Sequence, residues 1–336
     1  MADKLRIGFI WDWPNDEVQL MTWEDGLYAA LQELKKRGHE VEVYTICEAL
    51  GGSITRDGLV IRTFSRPDQL EALIEAYKPS VLLHWGDCTR PNAGVGRKLG
   101  IKQAICFAGG QPFGPTWNNF DLFFVESDEY KLKFQAANVD VMTAFGTNTK
   151  LYDPKDERLV GQAKLFDVCF PATYAAWKRH KLFSEATQGL RTVCAGYMYD
   201  DHETECWKEP QRGGSFVLPH VPASGLRHLL AASRVCLITS ETTGGSQRTV
   251  LEAMAMDVPV IVMDDSPKTS EYVLDAISKG YKVGAVVPPD PLGIKRAIYE
   301  WEDEKANGRQ YILDTWSEKN YAEQINLGLN KLVGTR

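Results

Sequence analysis

Short apolar runs alternate with helix-length amphipathic segments along nearly the whole chain, and this alternation limits the fold more than any other feature. It is the pattern of a parallel sheet whose faces are covered by helices. "LRIGFIW" reads as a strand, and in "EDGLYAALQELKKRG" the residues Leu27, Ala30, Leu31 and Leu34 form a stripe at helical spacing. Gly38 is placed to end that helix. Strand-like runs follow at "EVEVYTI", "LVIRTF", "SVLLHWG", "KQAICFAG" and "DLFFVES", and "DEYKLKFQAAN" separates the last of them from "VDVMTAFG". The polar stretch from Gly146 to Lys164 has no apolar periodicity and contains Pro154, so it reads as a linker with a hinge near 146–160. The pattern then restarts with "FDVCFPA", a helical "AAWKRHKLFSEATQG", "RTVCAGY", "GSFVLPHV", "SGLRHLLAAS", "RVCLITS" and "GAVVPP", and "TWSEKNYAEQINLGLNKLV" closes the chain as a helix.

Two sheets of this kind suit a chain of 336 residues, beyond the size at which one core usually stops growing. The 44% apolar and 25% charged residues are those of an ordinary globular protein. A net charge of −7 gives no support to broad electrostatic binding of nucleic acid or anionic membrane. No apolar run approaches the ~20 residues that span a bilayer. "MADKLRIGFIWDW" enters a strand almost at once, without the basic start of a signal peptide. Seven scattered cysteines with no C-x-x-C read as buried free thiols in a reducing compartment, so the expected location is cytoplasmic and a zinc site is not expected.

The chemistry concentrates in "GGSQRTVLEAMAMDVPVIVMDDS", where glycines and polar residues precede the apolar face of a helix. A helix start free of bulky side chains can hold an anion through its unpaired N–H groups and positive dipole end. The competing reading is that Gly244 and Gly245 only turn the chain.

The order of these signals resembles the retaining glycosyltransferases of the GT-B fold, of the family 4 type that uses nucleotide-diphosphate sugars. "LYAALQELKKRGHEVEVYTI", "FDLFFVESDEYKLKFQAANVDVMTAFGTNTKLYDP", "SGLRHLLAASRVCLITS", "RTVLEAMAMDVPVIV" and the terminal helix carry the resemblance across nearly the whole chain. It implies two doubly wound Rossmann-like domains facing a central cleft. Residues 1–150 would form the acceptor side, 151–310 the donor-binding domain, and 311–336 a helix crossing back to the first domain.

By this resemblance Glu252 bonds the donor ribose, a role for which a carboxylate suits because it accepts two hydrogen bonds from a vicinal diol. Gly244, Gly245, Ser246, Gln247, Arg248, Thr249 and Val250 pass under the sugar and diphosphate, and His220 and Val221 lie along the nucleobase. If Glu252 has no such role, it is a first-turn acid that only stabilises its own helix. Lys178 matches the lysine that faces the leaving diphosphate, with Arg179 taking over for an arginine that "FPATYAAW" lacks, or Thr173 and Tyr174 donating neutral hydrogen bonds. A second glutamate eight residues before the ribose one is replaced by Gly244, and Glu241 stands three residues further upstream. On the acceptor side His84 is a candidate facing the donor sugar, beside Trp13, Trp23, Asp87, Gly109 and Gly110.

Asp200–Glu205 and "MDDS" lack the spacing of a donor-site acid pair, so neither metal nor cofactor is expected. The expected reaction is transfer of a sugar from a nucleotide-diphosphate sugar, a UDP-sugar foremost, to an acceptor hydroxyl with retention. Rival readings on the same fold are a nucleotide-sugar 2-epimerase, a non-catalytic nucleotide-sugar binder, and a sugar transferase acting on a modified base in DNA. The partners are the sugar donor and a saccharide, lipid-linked, small-molecule or nucleobase acceptor.

Overall fold

The computed structural model describes residues 4–11, 26–47, 52–108, 117–198, 204–241, 248–301 and 303–334. The chain divides into two compact units, one formed by Met1–Gly146 with Glu318–Arg336 and the other by Thr147–Ser317.

Unit 1 runs β1 (Arg6–Trp11), α1 (Gly26–Lys36), β2 (Glu40–Ile46), β3 (Gly52–Arg56), β4 (Leu59–Phe64), α2 (Pro67–Tyr77), β5 (Val81–Gly86), α3 (Val95–Leu99), β6 (Gln103–Phe107), β7 (Leu122–Val125), α4 (Asp128–Ala136) and β8 (Val141–Thr143). Its sheet has the order β3-β4-β2-β1-β5-β6-β7-β8. All neighbours are parallel except β3, which lies antiparallel on β4. Asp57 and Gly58 turn this hairpin with φ of 49° and 81°. Asp-Gly is the dipeptide that tolerates positive φ at both central positions.

Unit 2 runs β9 (Phe166–Pro171), α5 (His180–Ala186), β10 (Thr192–Ala195), α6 (Thr204–Arg212), β11 (Phe216–Leu218), α7 (Ala223–Ala231), β12 (Ser233–Ile238), α8 (Arg248–Ala255), β13 (Val260–Met263), α9 (Pro267–Ser278), β14 (Gly284–Val287), α10 (Pro291–Trp301) and α11 (Gly308–Thr315). Its sheet is wholly parallel in the order β11-β10-β9-β12-β13-β14. The chain ends in α12 (Glu318–Val333), which returns to unit 1.

The stripe on α1 explains where α12 settles. Leu27, Ala30, Leu31 and Leu34 are fully buried and share one core with Ile7 and Phe9 of β1 and with Tyr321, Ala322, Ile325 and Leu329 of α12. Each leucine, isoleucine and phenylalanine among them contributes roughly 1.5–3 kcal/mol by leaving water. Gly38 ends the first turn sequence after α1 at φ 99°, where a side chain would be strained. On α12, a Cβ at Gly328 would come within 2.4 Å of Phe124 of β7, so the helix lies on the sheet at a distance that only glycine permits.

The polar stretch after Gly146 belongs to unit 2, and its own contacts show why. Tyr152 and Leu159 are buried. Arg309 donates to the carbonyls of Tyr152 at 2.6 Å and Thr149 at 3.2 Å, and buried Arg227 pairs with Asp156 at 3.0 Å. Polarity here comes from backbone and carboxylate groups that two arginines satisfy, a pairing far apart in sequence. Residues 311–317 likewise lie in unit 2, where α11 packs on α8.

All seven cysteines are free, and six are buried. Among the described residues no helix is long and apolar enough to cross a membrane.

Candidate functional site at the switch point of unit 2

In unit 2 the strand order reverses between β9 and β12. In an open parallel sheet, ligands bind beyond the carboxyl ends of the strands at such a switch point. The residues that leave β9 and β12 are therefore the ones whose chemistry matters.

β9 exits at Pro171 and reaches a single tight turn at Ala176–Lys178 before α5. The helix expected to run on from Ala175 is broken at Arg179, whose backbone is left-handed with φ 54° and ψ 51°. That conformation costs a non-glycine residue about 1–2 kcal/mol, so surrounding contacts must hold it. β12 supplies them. Thr239 Oγ1 donates to the carbonyl of Lys178 at 2.5 Å, and the Glu241 amide donates to the carbonyl of Trp177 at 2.9 Å. The two loops at the switch point are thus tied together by their backbones. Lys178 is buried.

The Arg179 guanidinium is held in a fork by Asp265, with Nη1 to Oδ1 at 3.0 Å and Nη2 to Oδ2 at 2.6 Å. Glu241 lies 3.6 Å from Nη2. Hydrogen bonding to Asp265 raises the arginine's pKa further. Asp265 follows β13, the next strand in the sheet. Nothing in the sequence signals this pair, since its members are 86 residues apart. His180, next along, is buried against Phe170 and Tyr174 at ring separations of 5.1 and 5.3 Å. Burial, then the charge of Lys178, lowers its pKa to about 4, so it is neutral at pH 7.

The described part of α8 begins at Arg248, and the start of a helix carries the positive end of its dipole. Val250, Leu251, Ala253 and Met254 are fully buried and fix the helix against the sheet. Glu252 is its fifth residue, past the first turn, and is only 8% exposed. A first-turn acid stabilising its own helix dipole does not fit that position. Gly244, Gly245, Ser246 and Gln247 lie outside the described residues.

Further out on this side of the sheet, His220 is exposed after β11 and meets Tyr197 edge-on at 6.0 Å. Val221 beside it is half-buried. Tyr174, named as a neutral donor, gives its hydroxyl to the carbonyl of Leu218 at 2.9 Å. Gly196 follows β10, and a Cβ there would overlap the Ala172 carbonyl at 1.8 Å. The chain leaving β10 therefore lies directly on the chain leaving β9.

Unit 1 has its own switch point, between β1 and β5. Trp11 and Trp85 stack there with centroids 4.1 Å apart and planes inclined by 24°. Asp87 accepts from the Thr89 amide at 2.8 Å and pairs with Arg90 at 3.3 Å, so its carboxylate holds its own turn. His84 is not among the strand-end groups. It is buried within β5, 3.2 Å from Gln103 Oε1 and edge-on to Phe120, and burial lowers its pKa to about 4. Gln103 in turn donates to the carbonyls of Ala93 and Asn119. This network makes His84 part of the unit's core. Trp13, Trp23, Gly109 and Gly110 lie outside the described residues, as do Asp200–Glu203. Among the described residues no three His, Cys, Asp or Glu converge as metal ligands would.

Residues 167–303 match the family model described as glycosyl transferases group 1, a span that covers most of unit 2 and both sides of its switch point. No curated protein matches the chain in sequence. In fold, a glycosyltransferase from Rickettsia africae superposes with a TM-score of 0.73 at 15% identity, over 98% of this chain and 99% of that one. Sucrose-phosphate synthase from Thermosynechococcus elongatus gives 0.74 at 13%, over 98% and 100%. The Anabaena protein HepE in complex with UDP-glucose gives 0.70 at 13%, over 98% and 100%. At these identities the structures share the fold, and they share it end to end. The fold is GT-B, with two Rossmann-like domains, and within it residues 167–303 are similar to the glycosyl transferases group 1 family.

Proposed function

We propose that the protein is a glycosyltransferase that moves a sugar from a nucleotide-diphosphate sugar, with UDP as the nucleotide, to an acceptor hydroxyl, with retention of configuration and without a metal. The observation that carries the reading is that the buried Glu252 of α8 and the pinned turn of Lys178 and Arg179 follow the two strands, β12 and β9, that flank the switch point of unit 2. A ribose diol offers two donors to one carboxylate. The positive end of α8 and the charges of Lys178 and Arg179 suit a diphosphate, whose negative charge grows as the sugar departs. In this reading the departing phosphate oxygen takes the proton of the attacking hydroxyl, so no carboxylate is needed as nucleophile. HepE, which shares the fold, has been crystallised with UDP-glucose, and this supports UDP as the first donor to test.

The test is calorimetric titration of UDP into the wild type and Glu252→Gln. Glutamine keeps the helix but loses the charge-assisted bonds, so affinity should fall by about 1.5–3 kcal/mol. Equal dissociation constants in two folded proteins would remove Glu252 from the site. With a donor and acceptor in hand, the anomeric configuration of the product tests retention, and turnover in chelator tests metal independence.

A further inference from the structure

We propose that Asp265, aided by Glu241, occupies Arg179 as an internal anion that an incoming diphosphate must displace, so that these carboxylates weaken nucleotide binding and favour release of the spent nucleotide. The inference rests on the nucleotide-diphosphate reading of the switch point and names a regulation of that same site. A guanidinium fork accepts a carboxylate or a phosphate in the same two-bonded geometry, and here Asp265 fills it with contacts of 3.0 and 2.6 Å. Glu241 adds a second carboxylate at 3.6 Å, so one arginine charge faces two negative ones. A diphosphate approaching Arg179 in this state must compete with both carboxylates.

The pair is also reachable. The side chain of Arg179 is 23% exposed, and those of Asp265 and Glu241 are each 38% exposed. The three lie on the segments that follow three adjacent strands, β9, β12 and β13, around the point where the sheet's order reverses. The left-handed backbone of Arg179 turns the chain just before α5, and the bonds of Thr239 and Glu241 to the preceding carbonyls pin that turn. Exchange of one anion for another then needs only side-chain motion. Asp265 is thus engaged by a cation of the chain itself.

The experiment titrates UDP at one fixed salt concentration into the wild type, Asp265→Asn, Glu241→Gln, Arg179→Gln and the double variant Arg179→Gln with Asp265→Asn, after thermal unfolding has shown which are folded. Freeing a partly exposed ion pair is worth about fivefold, so Asp265→Asn should bind UDP about fivefold more tightly and Glu241→Gln less than that. The gain should vanish in the Arg179→Gln background, which a merely structural role for Asp265 would not produce. Glu241→Gln carries the test if Asp265→Asn does not fold. Wild-type binding with unchanged or weaker binding by both carboxylate variants overturns the proposal and leaves the nucleotide site standing. Absence of UDP binding in every protein, including the wild type, overturns the nucleotide reading and this proposal with it.

Discussion

The two units place different chemistry at the same topological feature. Each has a parallel-rich sheet whose order reverses beside its first strand, between β1 and β5 in unit 1 and between β9 and β12 in unit 2. At the first reversal lies an aromatic stack, Trp11 on Trp85, with Asp87 engaged by its own turn. At the second lie a buried lysine, an arginine gripped by two carboxylates and a buried glutamate behind a helix start. The fold provides a switch point in each unit, but among the described residues the unit 1 acid is paired within its own turn, while unit 2 brings a buried lysine, an arginine and a buried glutamate to the strand ends. A switch point is a place for a ligand, and the side chains delivered to it decide which ligand.

The largest effect that would break this contrast comes from the stack. Trp11→Ala should cost about 3–5 kcal/mol of stability, as large aromatic truncations in a core do, while the UDP dissociation constant of the folded fraction stays unchanged. A fall in UDP affinity would show that the aromatic switch point also serves the nucleotide. The charged side should respond the other way. Lys178→Met keeps the buried hydrocarbon stem and removes the charge, so UDP affinity should drop by about 1.5–3 kcal/mol with the melting temperature little changed. An unchanged titration would make Lys178 a packing residue.

The smallest effect is shared by both units. His84 and His180 are buried neutral with pKa lowered to about 4 from an ordinary 6.5. The unfolded chain therefore binds protons first as pH falls, so stability held above pH 6.5 is lost as pH drops toward 4. Each histidine contributes a slope of up to about 1.4 kcal/mol per pH unit within that window. Denaturant unfolding at pH 7 and 5.5 checks this. Equal midpoints would mean that neither ring is held neutral by burial in the folded chain.

What the sequence made legible was whatever one element encodes locally. The strands of both sheets follow from apolar runs, and the α1 stripe of Leu27, Ala30, Leu31 and Leu34 from helical spacing, since burial imposes both patterns directly. The β3–β4 hairpin left a signal as well, the Asp57–Gly58 pair, though β3 itself has mostly exposed residues and no apolar alternation to mark it. Contacts between distant segments were not legible. "AAWKRHKLFSEATQG" reads as one helix, yet Thr239 and Glu241 hold its start as a separate turn that ends at a left-handed Arg179. His84 stands near a strand end in sequence, but Gln103 and Phe120 enclose it. The polar 146–164 stretch reads as a linker because nothing nearby announces Arg227 and Arg309.

The central claim is that a nucleotide diphosphate binds at the switch point of unit 2, and amide hydrogen exchange with and without saturating UDP tests it most directly. Bound ligand protects the backbone that it touches or orders. The account predicts slower exchange in residues 172–180 and 248–252, and no change in residues 84–90 of unit 1. Protection confined to 84–90, with 172–180 and 248–252 unaffected, would contradict it.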